Sequence, residues 1–308
     1  MNSESNLEKP HHHSFQPEKE PPRMAPVSRR AFLKSAGAVA AFAVGGGPLL
    51  QGSDAGTATP SRPGGMLQLR SQRLGTDAGG HAEWQTILSP FALVPAESAI
   101  VICDMWDRHW SRGATERVGK MAPLMNNLIK HARAQGVHIV HAPSDTMPFY
   151  VEAPARKRVL AAPVVAPPPP IDRPDPLLPI DDTDGGSDTG EKPWFKAWSR
   201  QHPAIEIDQE RDAISDNGNE IYSYLHPRGV RTVYVMGVHT NMCVINRSFG
   251  IKQLVRWGVR AVLIRDLTDA MYNPAMRPYV SHAEGTQLVI GYIEKFWAPS
   301  VESRELLG

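Results

Sequence analysis

The chain has 308 residues, 41% of them hydrophobic, which suffices for one or two domains with a sizeable core. Its 33 basic and 32 acidic residues leave a formal net charge of +1 at pH 7. A nucleic-acid-binding protein usually shows a clustered basic excess, so this balance argues against such a partner.

Residues 1–58 combine a polar tail with the features of an export signal. Arg29 and Arg30 stand before Phe32, and an uncharged stretch rich in Ala, Gly and Val follows from Ser35 to about Leu50. Paired arginines before a short apolar stretch are typical of a twin-arginine signal. The stretch of about 16 residues is shorter than the ~20 needed to span a bilayer. We therefore expect no stable membrane span and predict export to the periplasm or another extracytoplasmic compartment; a retained N-terminal anchor is the alternative.

Residues 59–90 are rich in Gly, Ser and Arg and are interpreted as a linker or arm. The folded domain is predicted over residues 91–308. It begins with the continuous apolar run 99–103, which suits a strand buried on both faces and is followed at once by Asp104. Apolar spacing then predicts a helix over residues 116–135, and residues 137–141 a second strand.

An insert of about residues 147–200 interrupts this alternation. Its first part could be helical, and it continues through the prolines 167–170 and the acidic, Gly-containing run 181–188. A connection of this length in a compact domain is often a lid or binding loop. The acidic run lacks the full spacing of a calcium loop, so a solvated loop is the expected structure and metal binding the alternative.

Strands and helices alternate again after the insert. The patterns predict three further strands before the C-terminal region, at residues 204–207, 232–237 and 261–264, and a final one near residues 300–302. Helices are predicted over residues 220–225, 241–257 and 281–296. This order predicts a three-layer α/β/α, Rossmann-like fold with a mostly parallel sheet of about six strands.

Ligands of open parallel sheets bind beyond the carboxyl ends of the strands, and several polar residues are predicted there. Asp104 follows the first strand, His141 and Asp145 follow the second, and Cys243 begins the helix after the strongest strand. Thr240 or Asn241 would cap that helix. The unpaired N–H groups of a helix start lower a thiol pKa and can stabilise an oxyanion, so the position suits a nucleophile. A buried structural cysteine, and a capping or ion-paired aspartate, are the alternatives.

Cys103 is the second cysteine of the chain. A disulfide with Cys243 would remove the nucleophile. Because Cys103 immediately precedes Asp104 on the strand, we expect its side chain to point to the opposite face, which disfavours that bond.

Three segments resemble the isochorismatase-like superfamily, which includes cysteine hydrolases such as nicotinamidases and N-carbamoylsarcosine amidases. They are Ile100–Asp107, Val235–Val244 and Gly258–Asp266. The most specific part is the pattern Gly237-x-x-Thr240-x-x-Cys243-Val244. The resemblance covers roughly residues 90–303 apart from the insert.

The resemblance implies a catalytic triad of Asp, Lys and Cys, in which Asp104 and Cys243 match two members. It also implies a non-proline cis peptide between Val238 and His239, with the N–H groups of His239 and Cys243 forming an oxyanion hole. Substrate-binding candidates from the residues themselves are Trp106, Asp107, His109, His141 and Arg247.

The triad lysine is the departure from the family pattern. It is expected shortly after the third strand, where this chain has Asp208 or Gln209. The candidates for a replacement cation are Arg211, Lys192, Lys196 and Arg247. The paired Asp and His ligands of the nicotinamidase metal are not recognisable either.

The leading hypothesis is hydrolysis of a C–N bond in a small amide or carbamoyl-type substrate, with Cys243 as nucleophile, Asp104 as base, and no metal or organic cofactor. One alternative is a catalytically degenerate protein that binds a small molecule or a partner. The other is a cysteine-independent hydrolase of the isochorismatase type, in which Asp104 acts alone. We expect a small-molecule substrate and consider a homo-oligomer possible.

Overall fold

The structure, a computed structural model, describes residues 65–192 and 195–307, so the export signal predicted in residues 1–58 lies outside the described residues. Eight strands and seven helices follow one another along the described chain. The strands are β1 (Gly65–Thr76), β2 (Ala82–Leu93), β3 (Ser98–Cys103), β4 (His138–Ala142), β5 (Ala213–Ile214), β6 (Thr232–Val238), β7 (Arg260–Asp269) and β8 (Ser300–Val301). The helices are α1 (Arg112–Ala134), α2 (Pro154–Leu160), α3 (Gly218–Leu225), α4 (Cys243–Asn246), α5 (Ile251–Arg256), α6 (His282–Phe296) and α7 (Ser303–Leu307).

The strands form one mixed sheet in the order β2-β1-β8-β7-β6-β3-β4-β5. Strands β3 to β8 pair in parallel, whereas β1 runs antiparallel to both β2 and β8. The predicted α/β fold with a mostly parallel sheet is confirmed. The sheet has eight strands rather than about six because the β1–β2 hairpin extends it at one edge.

Helices cover both faces of the sheet. The core on one face packs β-strand residues against α3, α5 and α6, and the core on the other packs them against α1 and α7. The central strands β3 and β6 are buried along their whole length, as their continuous apolar sequences predict. This arrangement fixes the carboxyl ends of β3, β4 and β6 side by side.

Residues 65–93 are not a linker. They form the β1–β2 hairpin, and Leu67 and Leu69 of β1 are buried in the same core as α1. Apolar residues at alternate positions of β1 supply this buried face, a signal that the Gly, Ser and Arg content of the segment obscures. The folded domain therefore begins near residue 65 in the described chain, earlier than the predicted residue 91.

Two further predictions of secondary structure are wrong. Residues 204–207 form no strand; Ile205 packs toward α1, and the strand beside β4 is the two-residue β5. The helix predicted over residues 241–257 is interrupted between α4 and α5, where Arg247 has an extended backbone (φ −58°, ψ 156°). A Cβ at Gly250 would crowd the Arg247 backbone, so this sharp turn depends on glycine.

Among the described residues, no helix combines the length and the apolar character that crossing a bilayer requires.

Candidate active site

Asp104 lies at the carboxyl end of β3 and is fully buried. Its backbone adopts a left-handed conformation (φ 48°), which aspartate tolerates better than most residues. The Ser144 N–H donates to Asp104 Oδ1 at 2.7 Å, and Arg247 Nε donates to Asp104 Oδ2 at 3.1 Å. Burial raises the pKa of Asp104, and the positive charge of Arg247 partly offsets that rise. The carboxylate is thus held in place by two donors on different elements.

The turn after β6 brings Cys243 to the same edge of the sheet. Gly237 has φ 118° and lies so close to the Cys103 carbonyl that a side chain would overlap it. The peptide between Val238 and His239 is cis. Thr240 fixes the turn to β7, since its N–H donates to the Asp269 carbonyl at 2.9 Å and its hydroxyl pairs with that of Thr268 at 2.7 Å.

Cys243 is partly buried beside Asp104. Burial and then the negative charge of Asp104 raise the pKa of the Cys243 thiol, while the positive charge of Arg247 lowers it in part. The thiol is therefore protonated at neutral pH in the free site. A nucleophilic attack by this sulfur requires a base, and Asp104 is the adjacent group that can accept the proton.

Neither residue expected to cap the helix at Cys243 does so. The N-cap position is Met242, which has no capping side chain. Thr240 is bound to Thr268, and the Asn241 amide bridges Asp182 and Met271. Their side chains are used to fix the loop instead.

Arg247 is the cation nearest to this pair of groups in the described chain. It lies one turn after Cys243, and besides its bond to Asp104 its Nη2 contacts Asp145 Oδ2 at 3.5 Å. The other candidates for the replacement cation make their contacts away from Asp104 and Cys243. Arg211 pairs with Asp208, Lys196 donates to the Asp145 carbonyl, and Lys192 is exposed.

The expected place of the triad lysine also changes. The third parallel strand along the chain is β5 rather than residues 204–207, so the position shortly after it falls at Ser215 to Asn217 instead of Asp208 or Gln209. None of these residues is a lysine. The nearby positive charge is Arg247, which directly follows α4 and comes from the other side of β3 from β5.

A cavity of about 540 Å³ opens beside Cys243. Aromatic rings form much of its wall: Trp106 stacks on Trp198 with ring centroids 4.2 Å apart, and His109 lies parallel to Trp198 at 5.7 Å. The remaining lining comes from the carboxyl edge of the sheet and from the insert, namely Trp110, Asp145, Asp182, Thr183, Gly185, His239, Met242, Arg247 and Met271. The cavity thus combines a flat apolar wall with the thiol.

Two histidines of the cavity are uncharged at neutral pH. Burial lowers the pKa of His239 to about 3 and that of His109 to about 4. His109 Nδ1 accepts from the Ser111 N–H at 3.1 Å. His239 Nε2 is buried, and no group in residues 65–192 or 195–307 hydrogen-bonds to it.

The insert crosses the carboxyl edge of the sheet and closes one side of the cavity. Arg117 of α1 holds Asp188 of the insert and Asp269 of β7, each at 2.8 Å. Asn241 Nδ2 donates to Asp182 Oδ2 at 2.7 Å. The acidic run is consequently tied to the core by side chains, and no metal-binding group of His, Cys, Asp and Glu occurs among the described residues.

Two substrate-binding candidates do not line the cavity. His141 is completely buried between Gln201 and Asp212, at 3.0 Å from each. Asp107 accepts from the Ser199 hydroxyl and N–H and so fixes the end of the insert. Trp106, His109 and Arg247 do line it.

Cys103 and Cys243 are both free, and they contribute to the same core cluster. The two cysteines form no disulfide, as expected, but the expectation that Cys103 points to the opposite face is wrong, since it packs in the same core cluster as Cys243. Asp104 lies beyond the end of β3 in a left-handed turn, so the alternation of strand side chains does not extend to it.

Sequence analysis missed the contributions of Ser144, Trp198 and Asp182. Ser144 acts through its backbone, which carries no sequence signal. Trp198 and Asp182 belong to the insert, and only the three-dimensional path of that segment brings them to Cys243.

The chain belongs to the isochorismatase family, since residues 98–277 match the family model described as "Isochorismatase domain". It is thus a member of a family of hydrolases.

Solved structures similar to this chain include a cysteine hydrolase from Pseudomonas syringae pv. phaseolicola 1448A, 17% identical, covering 69% of this chain and 92% of that one with a TM-score of 0.42. An isochorismatase from Pseudomonas putida KT2440 is 15% identical, with 68% and 90% covered and a TM-score of 0.39. PnC1 from L. infantum in complex with nicotinate is 15% identical, with 68% and 95% covered and a TM-score of 0.36. No curated protein matches the chain.

Proposed function

We propose that the protein hydrolyses a C–N bond in a small amide or carbamoyl-type substrate, with Cys243 as nucleophile and Asp104 as base. The observation that carries this proposal is the buried carboxylate of Asp104 beside a thiol that faces a cavity. A cation and a backbone donor on the Asp104 oxygens favour the ionised carboxylate, which is the form that accepts a proton.

In the first half of the reaction Asp104 takes the thiol proton as the sulfur attacks the carbonyl carbon. The carbonyl oxygen becomes an oxyanion, for which the N–H groups of His239 and Cys243 are the proposed donors. When the C–N bond breaks, the protonated Asp104 gives its proton to the departing nitrogen. Ammonia or an amine leaves and a thioester remains on Cys243.

In the second half Asp104 takes a proton from water, and the resulting hydroxide attacks the thioester. The C–S bond then breaks, Asp104 returns the proton to the sulfur, and the acid product leaves. Each proton taken by Asp104 is thus returned within the cycle.

Arg247 takes the part that the lysine has in the triad implied by the family resemblance. Its guanidinium lies against Asp104 and lowers the thiol pKa, so it stabilises negative charge on either group. Unlike a lysine it stays charged at any pH that the protein tolerates. The triad of this chain would therefore be Asp104, Arg247 and Cys243.

The test uses ammonia release from a panel of small amides and carbamoyl compounds. We expect Cys243→Ala and Asp104→Asn each to lower kcat by about a thousandfold or more, because nucleophile and base act as a unit. Iodoacetamide should inactivate the enzyme in step with modification of Cys243, located by mass spectrometry. Cys103→Ala is the matched control and should keep its activity.

Turnover that survives Cys243→Ala would contradict the covalent mechanism. If that turnover were lost in Asp104→Asn, it would instead support the cysteine-independent hydrolase. Ligand binding without turnover of any compound, together with a thiol no more reactive than free cysteine, would support the degenerate binding protein.

A further inference from the structure

The side chains around the cavity include more negative groups than positive ones. Arg247 is the cation on its wall, and it already contacts two carboxylates, Asp104 at 3.1 Å and Asp145 at 3.5 Å. Asp182 lines the cavity as well, so the wall holds two carboxylates, Asp145 and Asp182, whereas Asp104 is fully buried and does not line it. His109 and His239 are neutral and supply no compensating charge. The wall thus has one positive group, which is already paired, against two negative ones.

Asp182 is the carboxylate without a matching cation. It is half-buried, its Oδ2 accepts from the neutral Asn241 amide at 2.7 Å, and no Lys, Arg or His of the described segments forms an ion pair with it. It lines the large cavity and also a neighbouring one of about 440 Å³, and Cys243 borders both. A half-buried carboxylate that loses hydration and gains only a neutral partner would be stabilised by a bound cation.

The aromatic wall suits the same kind of ligand. Tryptophan is the strongest side-chain partner for cation–π contacts, which strengthen when the cation is desolvated. Trp106, Trp110 and Trp198 all line the cavity. In addition, His239 lines the cavity and its buried Nε2 has no hydrogen-bond partner within the described residues.

We propose that the substrate is a small amide that carries an ammonium group, which binds near Asp182 and the tryptophan rings while the carbonyl reaches Cys243. This inference rests on the proposed function, of which it names the substrate class. A substrate with a carboxylate in the same place would meet the carboxylates of Asp145 and Asp182 and one already paired guanidinium. Charge therefore selects a cationic substrate over a neutral one and excludes an anionic one.

The experiment compares three amides with the same three-carbon chain. One ends in a trimethylammonium group, one in a tert-butyl group of the same shape, and one in a carboxylate. Their binding to Cys243→Ala, and in parallel to Cys243→Ser, is measured by calorimetry, so that affinity is read without turnover. We expect the trimethylammonium amide to bind at least about tenfold more tightly than the tert-butyl amide, and the carboxylate amide most weakly.

Substitutions in the insert assign the preference to Asp182. On the Cys243→Ala background, Asp182→Asn should bring the ratio of the first two affinities close to one, and Asp182→Glu should keep most of it. The matched control is Asp184→Asn, which removes an exposed carboxylate of the same loop that binds Asn273 and does not line the cavity. It should leave the ratio unchanged.

Equal binding of the trimethylammonium and tert-butyl amides, or preference for the carboxylate amide, would overturn the inference. An equal loss of preference in Asp182→Asn and Asp184→Asn would do so too. The proposed function fails separately: it fails if the wild-type protein shows the preference for the cation but hydrolyses none of the three amides.

Discussion

Arg247 balances negative charge at the site, because it contacts the carboxylates of both Asp104 and Asp145. Its place one turn after Cys243 is set by the break between α4 and α5. With ψ at 156° its backbone leaves the helix, and its guanidinium contacts Asp104. The apolar spacing predicts a continuous helix over residues 241–257, and such a helix would contain no turn at Arg247.

Replacing Arg247 by Met should shift the pH dependence of activity. Burial already raises the pKa of Asp104, and without the guanidinium that pKa rises further. Asp104 must be ionised to accept the thiol proton, so the acid limb of the kcat/KM profile should move to higher pH. At neutral pH we expect kcat/KM to fall by about a hundredfold or more.

Arg247→Lys keeps the charge and should recover part of that activity with a smaller shift of the acid limb. Arg211→Met, which removes an exposed arginine paired with Asp208, is the control and should leave the profile unchanged. An acid limb that stays in place in Arg247→Met would show that Asp104 does not depend on this cation.

At the scale of elements, the insert owes its position to close contacts rather than to regular structure. Gly186 and Gly190 both have positive φ, at 74° and 85°. A Cβ at Gly186 would overlap the Met271 carbonyl, whereas a Cβ at Gly190 would meet nothing within 4 Å. Substitutions at the two glycines therefore distinguish two effects. Both substitutions strain the backbone, but only the one at Gly186 also disturbs the packing of the loop on the core.

We expect Gly186→Ala to displace the loop, raise KM several-fold and increase cleavage of the insert by a non-specific protease. Gly190→Ala should show only the backbone penalty, about 1 kcal/mol in stability, with KM unchanged. Steady-state kinetics and limited proteolysis of the two variants, side by side, check this. The same KM in both would mean that the loop does not shape the cavity.

The β1–β2 hairpin gives a second test at this scale. Leu67 is 1% exposed and Leu88 is 61% exposed, on the two strands of the same hairpin. Leu67→Ala should lower the free energy of unfolding by about 2–5 kcal/mol. Leu88→Ala should change it by less than about 0.5 kcal/mol. Urea titrations measure the free energy of unfolding of both variants. If both were as stable as the wild type, the hairpin would behave as a linker and not as part of the core.

The long apolar runs of β3 and β6 make those strands, and the residues directly after them, predictable from the sequence. Asp104 and Cys243 were found in this way. The two-residue strand β5 is too short for any periodicity, and Ile205 and Ile207 mimic a strand although they pack against other clusters. Trp198 and Asp182 reach the cavity through a loop path that no local pattern encodes.

At the scale of the whole molecule, we propose that the chain is exported by the twin-arginine route. The signal lies outside the described residues, so the argument rests on its sequence alone. Replacing both Arg29 and Arg30 by Lys should retain the protein in the cytoplasm. Cell fractionation followed by immunodetection is the measurement, and Arg23→Lys, upstream of the pair, is the control. Normal export of the double variant would contradict the proposal.

Trp198 and Asp182 line the cavity from the insert. They lie in a different segment of the chain from Asp104 and Cys243, the groups proposed to break the C–N bond. Trp198 and Asp182 lie outside β3, β6 and α4, which hold Asp104 and Cys243, although Asp182 also accepts a hydrogen bond from Asn241 in the loop before α4. Swapping the loop between such proteins should redirect which compound is accepted while the reaction itself stays the same. This makes the segment a natural starting point for redesign.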